Sequence, residues 1–148
     1  FTEVRMKNII ELRSLDTCEW GCICSGPAFF TGLLYGSLDE SFDIIKKWKK
    51  DNIMEAYFKS PKYGLNVELE GKKLHEWGRI FLSLSKKGLI KRKQMNSKNK
   101  NETIYLDHID SIINKKENRS QMLVKKFKVN KNLNFLDNEN ENFSYSRL

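Results

Sequence analysis

Side chains at even and odd positions differ in polarity through the first segment of the chain, residues 3–13. Successive side chains of a β-strand point to opposite faces, so this period of two predicts one strand with two unlike faces. The charged face would contain Glu3, Arg5, Lys7, Glu11 and Arg13. The apolar face would contain Val4, Met6, Ile10 and Leu12. We expect the apolar face to pack against helices.

The pattern changes to a helical period from Pro27 onward. Proline is common in the first turn of a helix and glycine near its end, so Pro27 and Gly36 predict the limits of a first helix. Ser37 and Glu40 have the spacing of a capping box, which predicts a second helix directly afterwards. The apolar face of this second helix would consist of Leu38, Phe42 and Ile45, with Trp48 as a candidate fourth member.

Further helical segments follow, separated by breakers or polar runs. The predicted helices are a short one over 51–59, a longer one over 72–88, and two amphipathic ones over 104–116 and 119–128. We expect Gly88 to end the longer helix, and the breakers in 60–71 indicate a connection.

Aromatic residues in the helices could form a stacking platform, but their helical spacing favours core packing. They are Phe29, Phe30, Phe42, Trp48, Trp77 and Phe81.

The fold class that these patterns predict is α+β, with one or a few antiparallel strands (3–13) before a mainly helical region (27–128). One strand cannot form a sheet by itself, and the sequence begins with Phe1 rather than methionine. We therefore expect a piece of a longer protein whose upstream part completes the sheet. The Asn-rich segment 129–148 lacks periodicity and is expected to be a flexible tail.

Positive charge exceeds negative charge along the chain. Lysine and arginine number 27 against 19 acidic residues, a formal net charge of +8, with lysine runs in 46–50, 86–93 and 114–131. Such a chain can attract nucleic acid, an acidic membrane surface or a phosphorylated ligand. Solvated faces explain the lysines better, because lysine and asparagine together dominate the polar residues, as in proteins of AT-rich genomes. We expect neither nucleic acid nor a membrane as a partner, and no apolar run is long enough to cross a bilayer.

Three cysteines, Cys18, Cys22 and Cys24, lie close together without a standard zinc-binding spacing. An odd number of cysteines without a secretory signal predicts reduced thiols in a cytoplasm. Cys24 could take part in a redox switch, but a buried thiol is the simpler interpretation.

Glu11 and Arg13 are the pair on the charged face that could perform chemistry. Two residues apart on one strand face, their side chains stand roughly 6–7 Å apart along the strand. A carboxylate can bind Mg²⁺ while a neighbouring guanidinium holds a phosphoryl group. The alternative is an exposed ion pair that stabilises the fold by under about 1 kcal/mol.

Several motifs that follow one another along the chain help to interpret the pair of Glu11 and Arg13. The motifs are "EVRMKNIIELRSLD" (3–16), Trp20, "CSGPAFFTGLLYG" (24–36), "SLDESFDIIKKWKKDN" (37–52), "GKKLHEWGRIFLSLSKKGLIKRK" (71–93) and "YLDHIDSIINKKENRSQMLVKKFK" (105–128). With these motifs in this order, the chain resembles the carboxyl-terminal third of glutamate–cysteine ligases of the plant and proteobacterial type over residues 1–128. The loop after Asp16 and the tail 129–148 depart from the family pattern.

The resemblance implies an ATP-dependent ligase that joins the γ-carboxylate of glutamate to the amine of cysteine through γ-glutamyl phosphate, the first step of glutathione biosynthesis. It implies a glutamine-synthetase-like (carboxylate–amine ligase) fold, whose curved antiparallel sheet forms a funnel, and it implies ATP and Mg²⁺. Glu11 would be a Mg²⁺ ligand and Arg13 would contact the transferred phosphoryl group. Arg5 is a weaker candidate for phosphate binding, since a salt bridge would equally explain it.

The same resemblance sets expectations for the protein's surroundings. Residues 1–128 would be the C-terminal portion of the catalytic domain, inactive without the upstream part of the polypeptide. The partners would otherwise be glutamate, cysteine and ATP, and the location would be the cytoplasm, or the plastid in a plant-type lineage. Two alternatives stay open: a small basic helical nucleic-acid-binding protein, and a non-catalytic or differently specific ligase paralogue.

Overall fold

The computed structural model describes residues 3–15 and 20–130, and it begins with a β-hairpin rather than a single strand. Strand β1 (Val4–Met6) pairs antiparallel with β2 (Ile10–Leu12). The predicted single strand over 3–13 is therefore wrong. Residues 7–9 turn the chain, and the Lys7 N–H donates a hydrogen bond to the Ile9 carbonyl at 3.0 Å. Asn8, at the centre, is a residue type that favours turns.

The turn preserves the division between the two faces. Val4 lies opposite Leu12, and Met6 lies opposite Ile10, so the apolar side chains still share one face. This face does not pack as predicted: Val4, Met6 and Ile10 are 49%, 79% and 59% exposed. The expectation that helices of this chain cover it is wrong for the part that the structure describes.

Six helices and a second, shorter hairpin follow among the residues that the structure describes. The helices are α1 (Ser25–Gly36), α2 (Leu38–Ile45), α3 (Lys50–Tyr63), α4 (Leu74–Arg92), α5 (Asp107–Lys115) and α6 (Arg119–Asn130). The second hairpin consists of β3 (Glu68–Leu69) and β4 (Lys72–Lys73). Short 3₁₀ turns occupy Trp20–Cys22, Gly64–Asn66 and Glu102–Leu106. The α+β class is confirmed.

Helices α1 and α4 pack closely along a line of small residues. A Cβ atom on Gly88 would lie 1.9 Å from the Gly32 carbonyl oxygen, and one on Gly36 would lie 2.2 Å from Gly88 Cα. Ser85, fully buried, donates its hydroxyl to the Phe29 carbonyl at 2.9 Å. The prediction that Gly88 ends α4 is wrong, because this glycine is a contact point and the helix continues to Arg92.

The core of the described residues consists of two clusters. One joins α1, α4, the 3₁₀ turn Glu102–Leu106 and α5 through Ala28, Leu82, Leu89, Leu106 and Ile113. The other joins α3 to the second hairpin through Ala56, Val67 and Leu69, with Trp48, Leu74 and Trp77 packed against it. The Trp48 ring meets the Trp77 and Phe81 rings edge-on, with centroids 4.9 and 5.8 Å away. Core packing is thus confirmed for these three aromatic residues.

Helix α2 differs from its prediction in both its cap and its face. Leu38, Phe42 and Ile45 are 52%, 61% and 43% exposed, so the expected burial of this face is wrong. Ser37 precedes the helix but forms no capping box. It is buried against α4 and donates its hydroxyl to the Leu84 carbonyl at 3.0 Å instead.

The cysteine interpretation also changes. Cys24 is exposed and Cys22 is buried, so the prediction of a buried Cys24 is wrong. Cys18 and the predicted flexible tail, apart from its first residues, lie outside the described residues. Within 3–15 and 20–130, no helix has the length and apolar character to cross a membrane.

Candidate functional site

The charged face of the first hairpin gathers the three residues singled out from the sequence. Arg5 lies directly opposite Glu11 in the strand pairing. Its Nε donates to Glu11 Oε2 at 2.7 Å, and its Nη2 pairs with the same oxygen. Arg13 approaches the other carboxylate oxygen, with Nε 3.7 Å from Glu11 Oε1. The Glu11 carboxylate therefore lies between two guanidinium groups.

Backbone geometry holds this arrangement together. The Arg13 N–H donates to the Glu3 carbonyl at 2.8 Å, which extends the pairing of the two chain segments beyond β1 and β2. The side chains of Arg5, Glu11 and Arg13 remain 44%, 38% and 25% exposed. Ion pairs with this exposure stabilise a protein by only about 0.2–1 kcal/mol. The cluster thus contributes little to stability and remains accessible to a ligand.

Tyr57 of α3 connects the hairpin to the helices. Its hydroxyl donates to Glu3 Oε1 at 3.1 Å, and this hydrogen bond to a carboxylate raises the pKa of Tyr57 above its ordinary value of 10.0. Sequence reasoning missed this residue. The contact spans 54 positions, and no local pattern distinguishes Tyr57 from the other exposed aromatic residues of α3.

Phosphate binding suits the two arginines. A guanidinium presents a planar fork of donors that matches the oxygens of a phosphoryl group. Arg13, the less exposed of the pair, lies farther from Glu11 than Arg5 does. Lys7, the third basic residue of this segment, lies in the turn and not in a strand.

A magnesium ion would find one suitable ligand here. Mg²⁺ prefers oxygen ligands in an octahedral arrangement, and Glu11 offers a carboxylate. Residues 3–15 and 20–130 contain no cluster of three or more His, Cys, Asp or Glu side chains that could bind a metal. Glu11 is thus a single candidate ligand, and its binding of Mg²⁺ stays a prediction.

Comparison with known proteins identifies the family. Residues 1–139 match the family described as Glutamate-cysteine ligase family 2 (GCS2). The chain belongs to this family. The match includes the hairpin and all six helices, and it confirms the resemblance found in the sequence. The family is of the carboxylate–amine ligase type.

Individual members of the glutamate–cysteine ligase family are similar over much of the chain. The chloroplastic glutamate–cysteine ligase of Solanum lycopersicum is 34% identical over 94 residues, which are 62% of this chain and 18% of that protein. The chloroplastic glutamate–cysteine ligase A of Oryza sativa subsp. indica is 31% identical over 115 residues, 76% of this chain and 22% of that protein. The matched segments thus span about a fifth of these relatives. The roles of Arg5, Glu11 and Arg13 stay predictions.

Proposed function

We propose that this chain is part of an ATP-dependent ligase that joins the γ-carboxylate of glutamate to the amine of cysteine, the first step of glutathione biosynthesis. The observation that carries the proposal is the cluster of Arg5, Glu11 and Arg13 on one face of a hairpin, in a chain of the glutamate–cysteine ligase family. Phosphoryl transfer requires mainly positioning and neutralisation of charge, which two arginines and a carboxylate can supply.

Each residue of the cluster has a distinct proposed role. Arg13 contacts the phosphoryl group as it passes from ATP to the glutamate γ-carboxylate, and it stabilises the charge that moves onto the equatorial oxygens. The cysteine amine then attacks γ-glutamyl phosphate and displaces phosphate. Glu11 supplies one carboxylate ligand for Mg²⁺, which neutralises phosphate charge when bound. Arg5 holds the Glu11 side chain in place, with phosphate binding as its weaker candidate role.

The exposed apolar face of the hairpin supports a larger catalytic domain. Val4, Met6 and Ile10 are about half to four-fifths exposed, although an apolar face of a strand is normally buried. We propose that the upstream part of the same polypeptide covers this face and supplies the remaining metal ligands. Residues 1–128 would then be the C-terminal portion of the catalytic domain, inactive by themselves.

The relatives are the basis for the proposed cellular location and amine specificity. Several relatives are named as chloroplastic, which supports a plastid location in a plant lineage, with the cytoplasm as the other expectation. Family membership does not favour a small nucleic-acid-binding protein. A paralogue that is non-catalytic or specific for another amine remains the second candidate, because the matched segments span only about a fifth of the relatives.

The test uses the complete protein that contains this chain. Arg13→Lys keeps the charge but removes the planar fork, so we expect kcat to fall about 10²-fold or more, with a smaller change in KM for glutamate. Glu11→Gln should raise the Mg²⁺ concentration needed for half-maximal rate, because an amide is a poorer ligand for a hard cation.

Arg92 and Glu102 provide matched controls, since they form another Arg–Glu ion pair, 3.3 Å apart, outside the hairpin. Arg92→Lys and Glu102→Gln should leave turnover and Mg²⁺ dependence close to wild type. If Arg13→Lys and Glu11→Gln behaved like these controls, the charged face would be only a solvated surface, and the proposed roles would be wrong.

A further inference from the structure

A cleft lined by lysines lies on another part of the molecule. It has a volume of about 760 Å³ and is formed by the end of α3, the turn after it, the end of α5 with the connection to α6, and one face of α6 as far as Lys128. Its lysines are Lys62, Lys115, Lys116, Lys125 and Lys128, and we call it the lysine cleft. Glu117 is the one acidic residue among the described residues that line it.

Positive charge exceeds negative charge in the lysine cleft. Elsewhere among the described residues, three lysines pair with carboxylates: Lys46 with Asp43, Lys59 with Glu55 and Lys87 with Glu40. In the cleft, Glu117 pairs with Lys125. For the other four lysines, the described lining contains no second acidic residue. Like charges at close range repel each other unless an anion lies between them.

Two contacts define the walls of the cleft. Asn118 and Gln121 cap the start of α6 reciprocally, since the Gln121 N–H donates to Asn118 Oδ1 at 2.9 Å and the Asn118 N–H donates to Gln121 Oε1 at 3.0 Å. Gln121 also packs onto Gly64, where a Cβ atom would lie 2.7 Å from its Nε2. The end of α3 and the start of α6 are thus held against each other.

We propose that the lysine cleft binds a small molecule with two or more phosphate groups. The volume lies in the range of small-ligand sites, roughly 300–1,000 Å³. Lysine is a common phosphate ligand, and several ammonium groups around one concave site suit a compact polyanion. A concave, local cluster favours such a ligand over nucleic acid, which binds lysines spread along an extended groove or face. The proposal is independent of the ligase activity.

Calorimetric titration of the complete protein with inorganic pyrophosphate, without Mg²⁺, tests the proposal. Lys115→Gln combined with Lys116→Gln should weaken binding roughly tenfold or more, because two of the attracting charges are lost. The matched control combines Lys98→Gln with Lys100→Gln, which removes the same charge from the loop after α4. That loop and the end of α5 lie at opposite ends of α4, whose 19 residues extend roughly 28 Å.

The outcomes separate the cleft from general electrostatic attraction and from the hairpin. The proposal predicts loss of binding in the cleft variant and near-wild-type binding in the control. Equal losses in both variants, no loss in either, or no pyrophosphate binding by the wild type would overturn it. A short RNA duplex that binds through Lys115 and Lys116 more tightly than pyrophosphate, with steep salt dependence, would assign the cleft to nucleic acid instead.

Discussion

Gly88→Ala tests the closest helix contact in the structure. The new Cβ atom would lie 1.9 Å from the Gly32 carbonyl oxygen and 3.1 Å from Gly36 Cα. A comfortable carbon–oxygen contact is about 3.3 Å, so α1 and α4 would have to separate by roughly 1.4 Å along this contact. The obstacle is backbone in both helices and cannot move aside as a flexible side chain would.

The magnitude follows from two opposing effects. Overpacking costs about 1–3 kcal/mol, and a clash between two backbones belongs at the upper end of this range. Alanine in place of glycine inside a helix stabilises it by about 1 kcal/mol. The expected net loss in the free energy of unfolding is therefore about 2 kcal/mol.

Gly78→Ala is the matched control, because Gly78 lies in the same helix and faces only the Ile113 side chain, at 3.2 Å. A small rotation of Ile113 can accommodate the methyl group, so this variant should be neutral or slightly more stable. Thermal and urea unfolding of the complete protein, followed by circular dichroism, measures both. If Gly88→Ala were as stable as Gly78→Ala, α1 and α4 would not be in contact at this point.

Two further predictions concern the helical surface and the hairpin. Replacing Lys86, Lys87 or Lys91 by Gln should leave turnover of the complete protein near wild type, because these lysines are exposed; a loss of roughly hundredfold would indicate an unrecognised site. The Tyr57 pKa is raised in the folded protein, so its bond to Glu3 is intact below the ordinary pKa of 10.0 and is lost as pH rises through the folded value. Tyrosinate absorbance is titrated in the wild type and in Tyr57→Phe, and the difference between the two curves should show one tyrosine with a raised pKa. A difference curve centred at or below the ordinary value would refute the contact.

Local periodicity was sufficient to find the helices. All six correspond to segments predicted from apolar spacing and breakers, because helical hydrogen bonds and side-chain faces arise within a few residues of one another. Their ends were harder to predict. Helix α3 passes through Pro61 and stops only at Tyr63, where Gly64 adopts φ +57° and its N–H donates to the Ser60 carbonyl.

Gly88 and Ser37 show why the sequence misled at other positions. Glycine near a helix end and serine before a helix are ordinary terminal signals. Here each of the two residues contacts a partner about 50 positions away: Gly88 meets the backbone of Gly32, and the Ser37 hydroxyl donates to Leu84. A close approach of two backbones leaves no local pattern, so only the folded chain distinguishes packing from capping.

The hairpin shows which features of the candidate site a local sequence pattern can predict. Alternation predicted which side chains share a face, and that assignment survives the turn at residues 7–9, because Val4 still pairs with Leu12 and Arg5 with Glu11. It could not predict the turn itself or the exposure of the apolar face. The same strands therefore present candidate catalytic charges on one face and an exposed apolar surface on the other. Since fully burying one large apolar side chain is worth about 1.5–3 kcal/mol, covering that face would fix the hairpin more strongly than its exposed ion pairs do. The position of Glu11 and Arg13 in an active enzyme would then depend chiefly on what packs behind them.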